Sequence, residues 1–161
     1  MQTAPAAPFL LGPGEGTPTW FFGSIATLKI DGPGTAGAFS LLEQHCPPGF
    51  ANPFHVHRRE DEAFWILEGE LEVFVGEGRF VAGPGSFIWG PRDVPHGFRV
   101  RGDVPCRLLL LASPPAFEEF VREMGEPAQG PGFPPPGPPS MEKLLPLAEK
   151  YGIEILGPLP D

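Results

Sequence analysis

Asparagine occurs once in this chain, at Asn52, and histidine only four times. No apolar run approaches the ~20 residues that a membrane-spanning helix needs. Cationic residues are also scarce, with 11 Lys and Arg against 20 acids and a net charge of -9. That balance argues against nucleic acid and anionic membranes as partners, because both demand a basic footprint. The two cysteines, Cys46 and Cys106, sit in apolar, strand-like sequence and are expected to be reduced core residues, not a disulfide or a metal pair. The opening MQTAPAAPFLLGPGEG has neither a basic start nor a long apolar run, so it is not expected to be a signal peptide, and a cytoplasmic location is the expectation. Scarce Asn, Gln and Cys beside abundant loop proline fits a thermostable protein.

Proline (24) and glycine (22) are the residues in excess, together more than a quarter of the 161 residues. In the middle of the chain they punctuate short apolar runs, as turns punctuate strands, which excludes disorder there. The runs are WFFGSIATLKI (20–30), AFSLLEQHC (38–46), FHVH (54–57), EAFWILEG (62–69), ELEVFVG (70–76), RFVAG (79–83), GSFIWG (85–90), HGFRVRG (96–102) and CRLLLLAS (106–113). Their β-branched and aromatic content, with breaks every ~8–12 residues, predicts one all-β barrel or sandwich domain. GEG at 76–78 is a hairpin turn. GPGTAG at 32–37 matches the dinucleotide-binding glycine pattern, but strand-like AFSLLEQ follows where a helix is required, so it reads as a turn.

Beyond residue 113 the pattern changes. AFEEFVREMG places Phe117, Phe120, Val121 and Met124 at helical spacing, started by Pro115 and stopped by Gly125. Residues 126–139, EPAQGPGFPPPGPP, read as an extended Pro/Gly linker. Ser140 is placed to cap a second helix with Met141, Leu144, Leu145 and Ala148 on one face, although Pro146 interrupts it. The division is therefore 1–125 for the barrel and its following helix, 126–139 for the linker, and 140–161 for a helix and apolar tail that docks on the barrel.

Two of the four histidines lie in GFANPFHVHRREDEAFWILEGEL (49–71). Residues i and i+2 of a strand share a face, so His55 and His57 project together and Val56 faces away. Glu62 opens the next strand, where an inward carboxylate can join the imidazoles. Two imidazoles and a carboxylate at one point suit Fe, Mn, Ni, Co, Zn or Cu. The alternative is a surface turn with two exposed histidines beside acids. His96 follows a turn stiffened by Pro91 and Pro95. By itself it reads better as a satisfied core histidine.

Together the two segments resemble the paired motifs of the cupin superfamily. The first motif is matched in full by Gly49, His55, His57, Glu62 and Gly69. The second is matched by Gly85, Pro91 and His96, while Asp93 stands where a glycine is expected and Val100 where an asparagine is expected. The resemblance covers about residues 40–112. It implies a double-stranded β-helix, the jelly-roll barrel, around one divalent metal ion (Fe, Mn, Ni, Co, Cu or Zn) held by His55, His57, Glu62 and His96. Asp61 is the competing acid, one residue out of register and expected to face outward. His45 is expected at the rim, and Arg58 and Arg59 in a solvated turn. By alternation with Glu62 and His96, Phe64, Ile66 and Phe98 face the cavity, an apolar wall suited to a flat or aromatic substrate.

HVHRREDEAFWILEGELEVFVG, ASPPAFEEFVREMG and KYGIEILGP are similar to small single-domain cupins grouped with quercetin 2,3-dioxygenase. This resemblance implies O2-dependent cleavage of a flavonol or other enolisable aromatic compound, with Glu62 as the catalytic base. Two other classes stay open: a metal-dependent isomerase or hydrolase that needs no O2, and a non-catalytic small-molecule-binding cupin. WFFGSIATL is a candidate for pairing with a second copy in a homodimer.

Overall fold

The computed structural model describes residues 7–161. The reading of the opening as something other than a leader rests partly on residues 1–6, which lie outside the described residues. Strands β1 (Thr17–Phe21), β2 (Ser24–Ile30), β3 (Ser40–Cys46), β4 (Phe54–His57), β5 (Asp61–Glu68), β6 (Glu70–Val75), β7 (Gly78–Ala82), β8 (Phe87–Gly90), β9 (His96–Arg101) and β10 (Cys106–Ser113) precede helix α1 (Phe117–Met124). The two-residue β11 (Glu126–Pro127), helix α2 (Met141–Tyr151) and β12 (Ile153–Gly157) complete the chain. The strands form two antiparallel sheets, in the orders β11-β1-β2-β3-β10-β5-β8 and β12-β4-β9-β6-β7. The two sheets make a double-stranded β-helix.

Alternation decides which side chains line the interior. Leu108, Leu110 and Ala112 of β10 face in beside Leu42 of β3 and Phe64 and Ile66 of β5, all buried. Cys46 and Cys106 stand opposite each other in the β3–β10 ladder, unbridged and fully buried. Burial pushes both thiols up, Cys106 to about 11. β6 and β7 join through Gly76 and Glu77, with Val75 opposite Gly78.

The run 20–30 is not one strand. Phe22 (φ 49°) and Gly23 (φ 88°) make a two-residue turn, and β1 folds back on β2 with Phe21 opposite Ser24. Left-handed conformation at two successive residues matches the twist of a hairpin. Sequence gave little sign of it, because a phenylalanine rarely accepts that conformation. The outer edge of β1 is taken by β11, with Trp20 opposite Glu126, so this edge does not offer the run to a second copy.

Residues 126–139 do not hang free as a linker. Besides β11, the Trp20 indole Nε1 donates to the Gly132 carbonyl (3.0 Å), and the Phe133 ring lies 4.8 Å from that of His45. In α2 the Ser140 hydroxyl accepts from the Lys143 N–H, and Gly152 (φ 69°) closes the helix in the left-handed region. Leu144, Ala148 and Tyr151 are its buried stripe, while Met141 and Leu145, expected on that face, are 52% and 57% exposed. Leu145 is turned ~100° from Leu144 and leaves the face, and Met141 stands in the first turn, before the stripe. Pro146 lies on the exposed side, where water can satisfy the carbonyl it leaves unpaired. The apolar tail is a strand: β12 pairs with β4, Ile153 opposite His57 and Ile155 opposite His55.

Candidate metal centre

Both sheets contribute to one point inside the barrel. β4 brings His55 and His57, β9 brings His96 directly opposite His55, and β5 of the other sheet brings Glu62. One ligand-type atom from each of the four lies within 4.8 Å of the others. His55 Nε2 is 3.1 Å from His57 Nε2, His96 Nε2 is 2.9 Å from Glu62 Oε2, and His57 Nε2 is 3.3 Å from the same oxygen. Adjacent ligands at ~2.1 Å from one ion stand ~3 Å apart, so this spacing fits a first-row divalent metal.

The surroundings fix each imidazole. His55 Nδ1 donates to the Pro53 carbonyl (2.7 Å) and His96 Nδ1 to the Val94 carbonyl (3.1 Å). His57 Nδ1 donates to Glu60 Oε1 at 2.6 Å. Each imidazole is thereby oriented with Nε2 toward the centre; without an ion the His96 Nε2–H donates to Glu62, and once that proton leaves each Nε2 offers a lone pair, the form that ligates metal. Two such lone pairs at 3.1 Å repel unless a cation lies between them. The titration of the group reflects this. Burial, with His57 and His96 nearby, drives His55 down to about 3. Burial alone would lower His57, yet the carboxylates of Glu62 and Glu60 outweigh it and hold this imidazole above its ordinary value. Burial alone would raise Glu62, but His57 and the hydrogen bond from His96 hold it at about 2, ionised. Glu62 Oε1 is buried without a hydrogen-bond partner among the described residues. A donor set of three oriented imidazoles and one ionised carboxylate can hold a metal ion.

Glu60 lies in the turn between β4 and β5. It is 1% exposed, and its role as the acceptor for His57 carries no sequence signal beyond the three-residue spacing. Asp61 faces outward and bonds the Arg92 guanidinium and N–H, both at 2.9 Å. Arg58 and Arg59 do more than sit in a turn. Arg58 bridges Asp93 (3.0 Å) and Glu154 (2.5 Å), and Arg59 donates to the Lys150 carbonyl (2.7 Å), fastening α2 and β12 beside the site. Asp93, at the expected glycine position, has φ 66° and donates its N–H to the His57 carbonyl (2.8 Å). Aspartate is among the few side chains that tolerate this conformation, so the departure from the motif keeps the turn. Gly69 (φ 77°) cannot be replaced so easily, since a Cβ there would meet the Pro105 carbonyl at 2.5 Å.

A pocket with about 550 Å3 of empty space, part of it open to solvent, leads to His55, His57 and Glu62. Phe64 and Phe98 line it, while Ile66, expected there, is fully buried in the core and does not. The wall also carries Phe21, Phe22, Phe50, Phe117 and Phe120, and the tail adds Leu144, Ile153 and Ile155. Two amides interrupt this apolar lining. Gln44 Nε2 donates to the Ser24 hydroxyl (3.0 Å), which donates to the Phe21 carbonyl (2.6 Å). Asn52 Oδ1 accepts the Phe98 N–H (2.7 Å). Nothing in the sequence assigns either amide a role, although Asn52 is the chain's single asparagine.

Residues 42–112 match the model of the cupin domain family. This segment, which carries all four ligand residues, is a cupin domain. It is 25% identical over 154 residues to a quercetin 2,3-dioxygenase of Bacillus subtilis (strain 168), a match that covers 95% of this chain and 45% of that protein. The chain thus spans about half the length of that relative. Among solved structures it resembles KdgF from a Halomonas species (17% identity, TM-score 0.61, 71% of this chain and 99% of that one). It also resembles the polyketide cyclase RemF from Streptomyces resistomycificus (24% identity, TM-score 0.58, 66% and 80%). At these identities the two structures bear on the fold alone.

Proposed function

We propose that the protein is a metal-dependent cupin dioxygenase that cleaves a flavonol or another enolisable aromatic compound with O2. The observation that carries this reading is the placement of a buried three-histidine, one-carboxylate site at the base of a phenylalanine-walled pocket. The match to the quercetin 2,3-dioxygenase along nearly the whole of this chain supports it. His55, His57, Glu62 and His96 would hold the ion, which would supply Lewis acidity toward a substrate oxygen.

The remaining work falls to the chain's own groups. Phe64 and Phe98, with Phe50 between β3 and β4, hold a planar ring and exclude water. Glu62 Oε1, buried and without a partner among the described residues, is the acceptor for the substrate's acidic hydroxyl proton. The fixed amides set the substrate's orientation. Gln44 retains its carbonyl oxygen as an acceptor and Asn52 its NH2 as a donor, so a hydroxylated, carbonyl-bearing aromatic satisfies both.

Oxygen-electrode assays of protein loaded in turn with Fe, Mn, Co, Ni and Cu, against a set of flavonols, test the proposal. Oxygen uptake is expected with at least one metal, and its loss is expected in Glu62→Gln protein that still holds metal. Flavonol binding without oxygen uptake under any metal would replace this reading with the binding or isomerase class.

A further inference from the structure

We infer that a second cavity, behind the ligand His96, is a holding site for O2 on the side of the metal centre away from the organic substrate. Its role as a store of reactant rests on the dioxygenase reading. The affinity of the site for O2 does not.

The two sheets build this cavity by alternation. Leu71, Val73 and Val75 reach it from β6, and the register sets Val75 beside His96 and Val73 beside Phe98 on β9. The facing sheet supplies Phe64 on β5 and, paired with it on β8, Ile88. Phe64 and Phe98 meet edge to face at 5.9 Å and border both cavities, so these two rings divide the barrel interior. On one side His55, His57 and Glu62 face the substrate pocket. On the other, the His96 ring forms part of the wall of the second cavity.

Size and polarity select the occupant. The cavity has about 240 Å3 of empty space against about 550 Å3 in the substrate pocket, and its free core holds about one molecule of the size of water. An aromatic ring does not fit there. Apart from His96 the lining is aliphatic, aromatic or glycine. Both ring nitrogens of His96 are engaged elsewhere, Nδ1 with the Val94 carbonyl at 3.1 Å and Nε2 with Glu62 at 2.9 Å. A buried water needs several polar partners, so this cavity stays dry and takes an apolar molecule, as dry apolar cavities take xenon. O2 is neutral, apolar and of this size, and it favours such surroundings over water as any apolar solute does. Its path does not compete with the substrate's. A planar ring seated against Phe64 and Phe98 fills the first pocket, whereas Val75 and Ile88, both half-buried, also line the groove between the edge strands β7 and β8. From the cavity the way to the centre passes between the Phe64 and His96 rings, whose centroids are 6.2 Å apart.

Methyl relaxation by dissolved O2 in the zinc-loaded full chain tests the inference, since zinc is diamagnetic and carries out no redox step. The methyl groups of Leu71 and Val73 should be relaxed severalfold more than those of Leu42 and Leu108, which are comparably buried but line neither cavity. Val73→Ile fills the cavity by one methyl group and keeps the β-branch. If it fails to fold, Val75→Ile replaces it, at a half-buried position with room to adjust. In either variant relaxation at Leu71 should fall to the level of Leu42. Equal relaxation at all four residues of the wild type, or an excess at Leu71 that both filled variants keep, overturns the inference. In a metal form that takes up oxygen with a flavonol, the filled variant should raise KM for O2 severalfold and leave the flavonol dissociation constant unchanged. An unchanged KM for O2 also overturns the inference. The two readings fail separately. Oxygen uptake without excess relaxation removes the cavity alone, whereas excess relaxation without uptake under any metal upholds the cavity and removes the dioxygenase reading.

Discussion

Glu60 shows how much of a metal site lies outside its ligands. Its carboxylate holds the His57 proton on Nδ1 and leaves Nε2 free, from a position where it is itself 1% exposed. Glu60→Gln keeps the shape and removes the charge that makes His57 a strong donor. We expect metal affinity to fall ~10–100-fold, as for other partners behind ligating histidines, read by competition with a chromophoric chelator. A wild-type affinity in the variant would reduce Glu60 to a packing residue. Away from the site, Glu72 receives Arg99 and Arg79, at 2.5 and 2.6 Å, and these cations hold its carboxyl below the usual range. A group lowered on folding stabilises the fold above its unfolded pKa of ~4.3, and that contribution disappears as pH falls through the lower folded value. Glu72→Gln should therefore lower the melting temperature at neutral pH and have a smaller effect in strong acid. An equal loss at both would remove the ion pairs from the account.

At the scale of elements, the C-terminal segment matters most. β12 completes the sheet beside β4, so the strand that carries His55 and His57 is an edge strand without it. Leu144, Ile153 and Ile155 also wall the pocket. Hydrogen exchange should find 141–157 slow and 128–139 fast, since the former lie in helix and strand ladders and the latter in neither. Equal rates through both would mean that the tail does not hold its place. The junction after α1 is equally specific. Gly125 has an ordinary φ of -84°, but a Cβ there would meet Thr19 Cγ2 at 2.5 Å and the Trp20 carbonyl at 2.6 Å. The glycine is required for close approach of helix and strand. Gly125→Ala should cost ~1–3 kcal/mol through overpacking, measured by denaturant unfolding.

For the molecule as a whole, the metal and the barrel are separable. The core built on Leu42, Ile66, Leu71 and Leu108 does not involve the four ligands, so the metal-free protein should stay folded. A bound ion stabilises the folded state by roughly 2.7 kcal/mol at a hundredfold excess over its dissociation constant. For a chain of this size that corresponds to a melting temperature ~5–10 °C higher. Chelator should reverse the shift, and a metal-free chain unfolded at room temperature would contradict the separation.

The sequence by itself determined the all-β barrel, because turn residues at regular intervals between β-rich runs leave few other solutions. It also singled out His55, His57, Glu62 and His96, because strand alternation and the motif spacing act along the chain. The tertiary structure alone decided what lies behind and around them. Glu60 and the amides of Gln44 and Asn52 owe their places to folds of the backbone that bring separate segments together, and polar residues in loops carry no periodic signal. Ile66 shows the limit of alternation: it assigns the inward face correctly but not the depth along it, which separates a pocket wall from a packed core. The Phe22–Gly23 hairpin and the tail strand β12 were illegible for a related reason. Each depends on long-range packing, Phe22 against Phe120 and β12 against β4, and such contacts override local preference without leaving a trace in it.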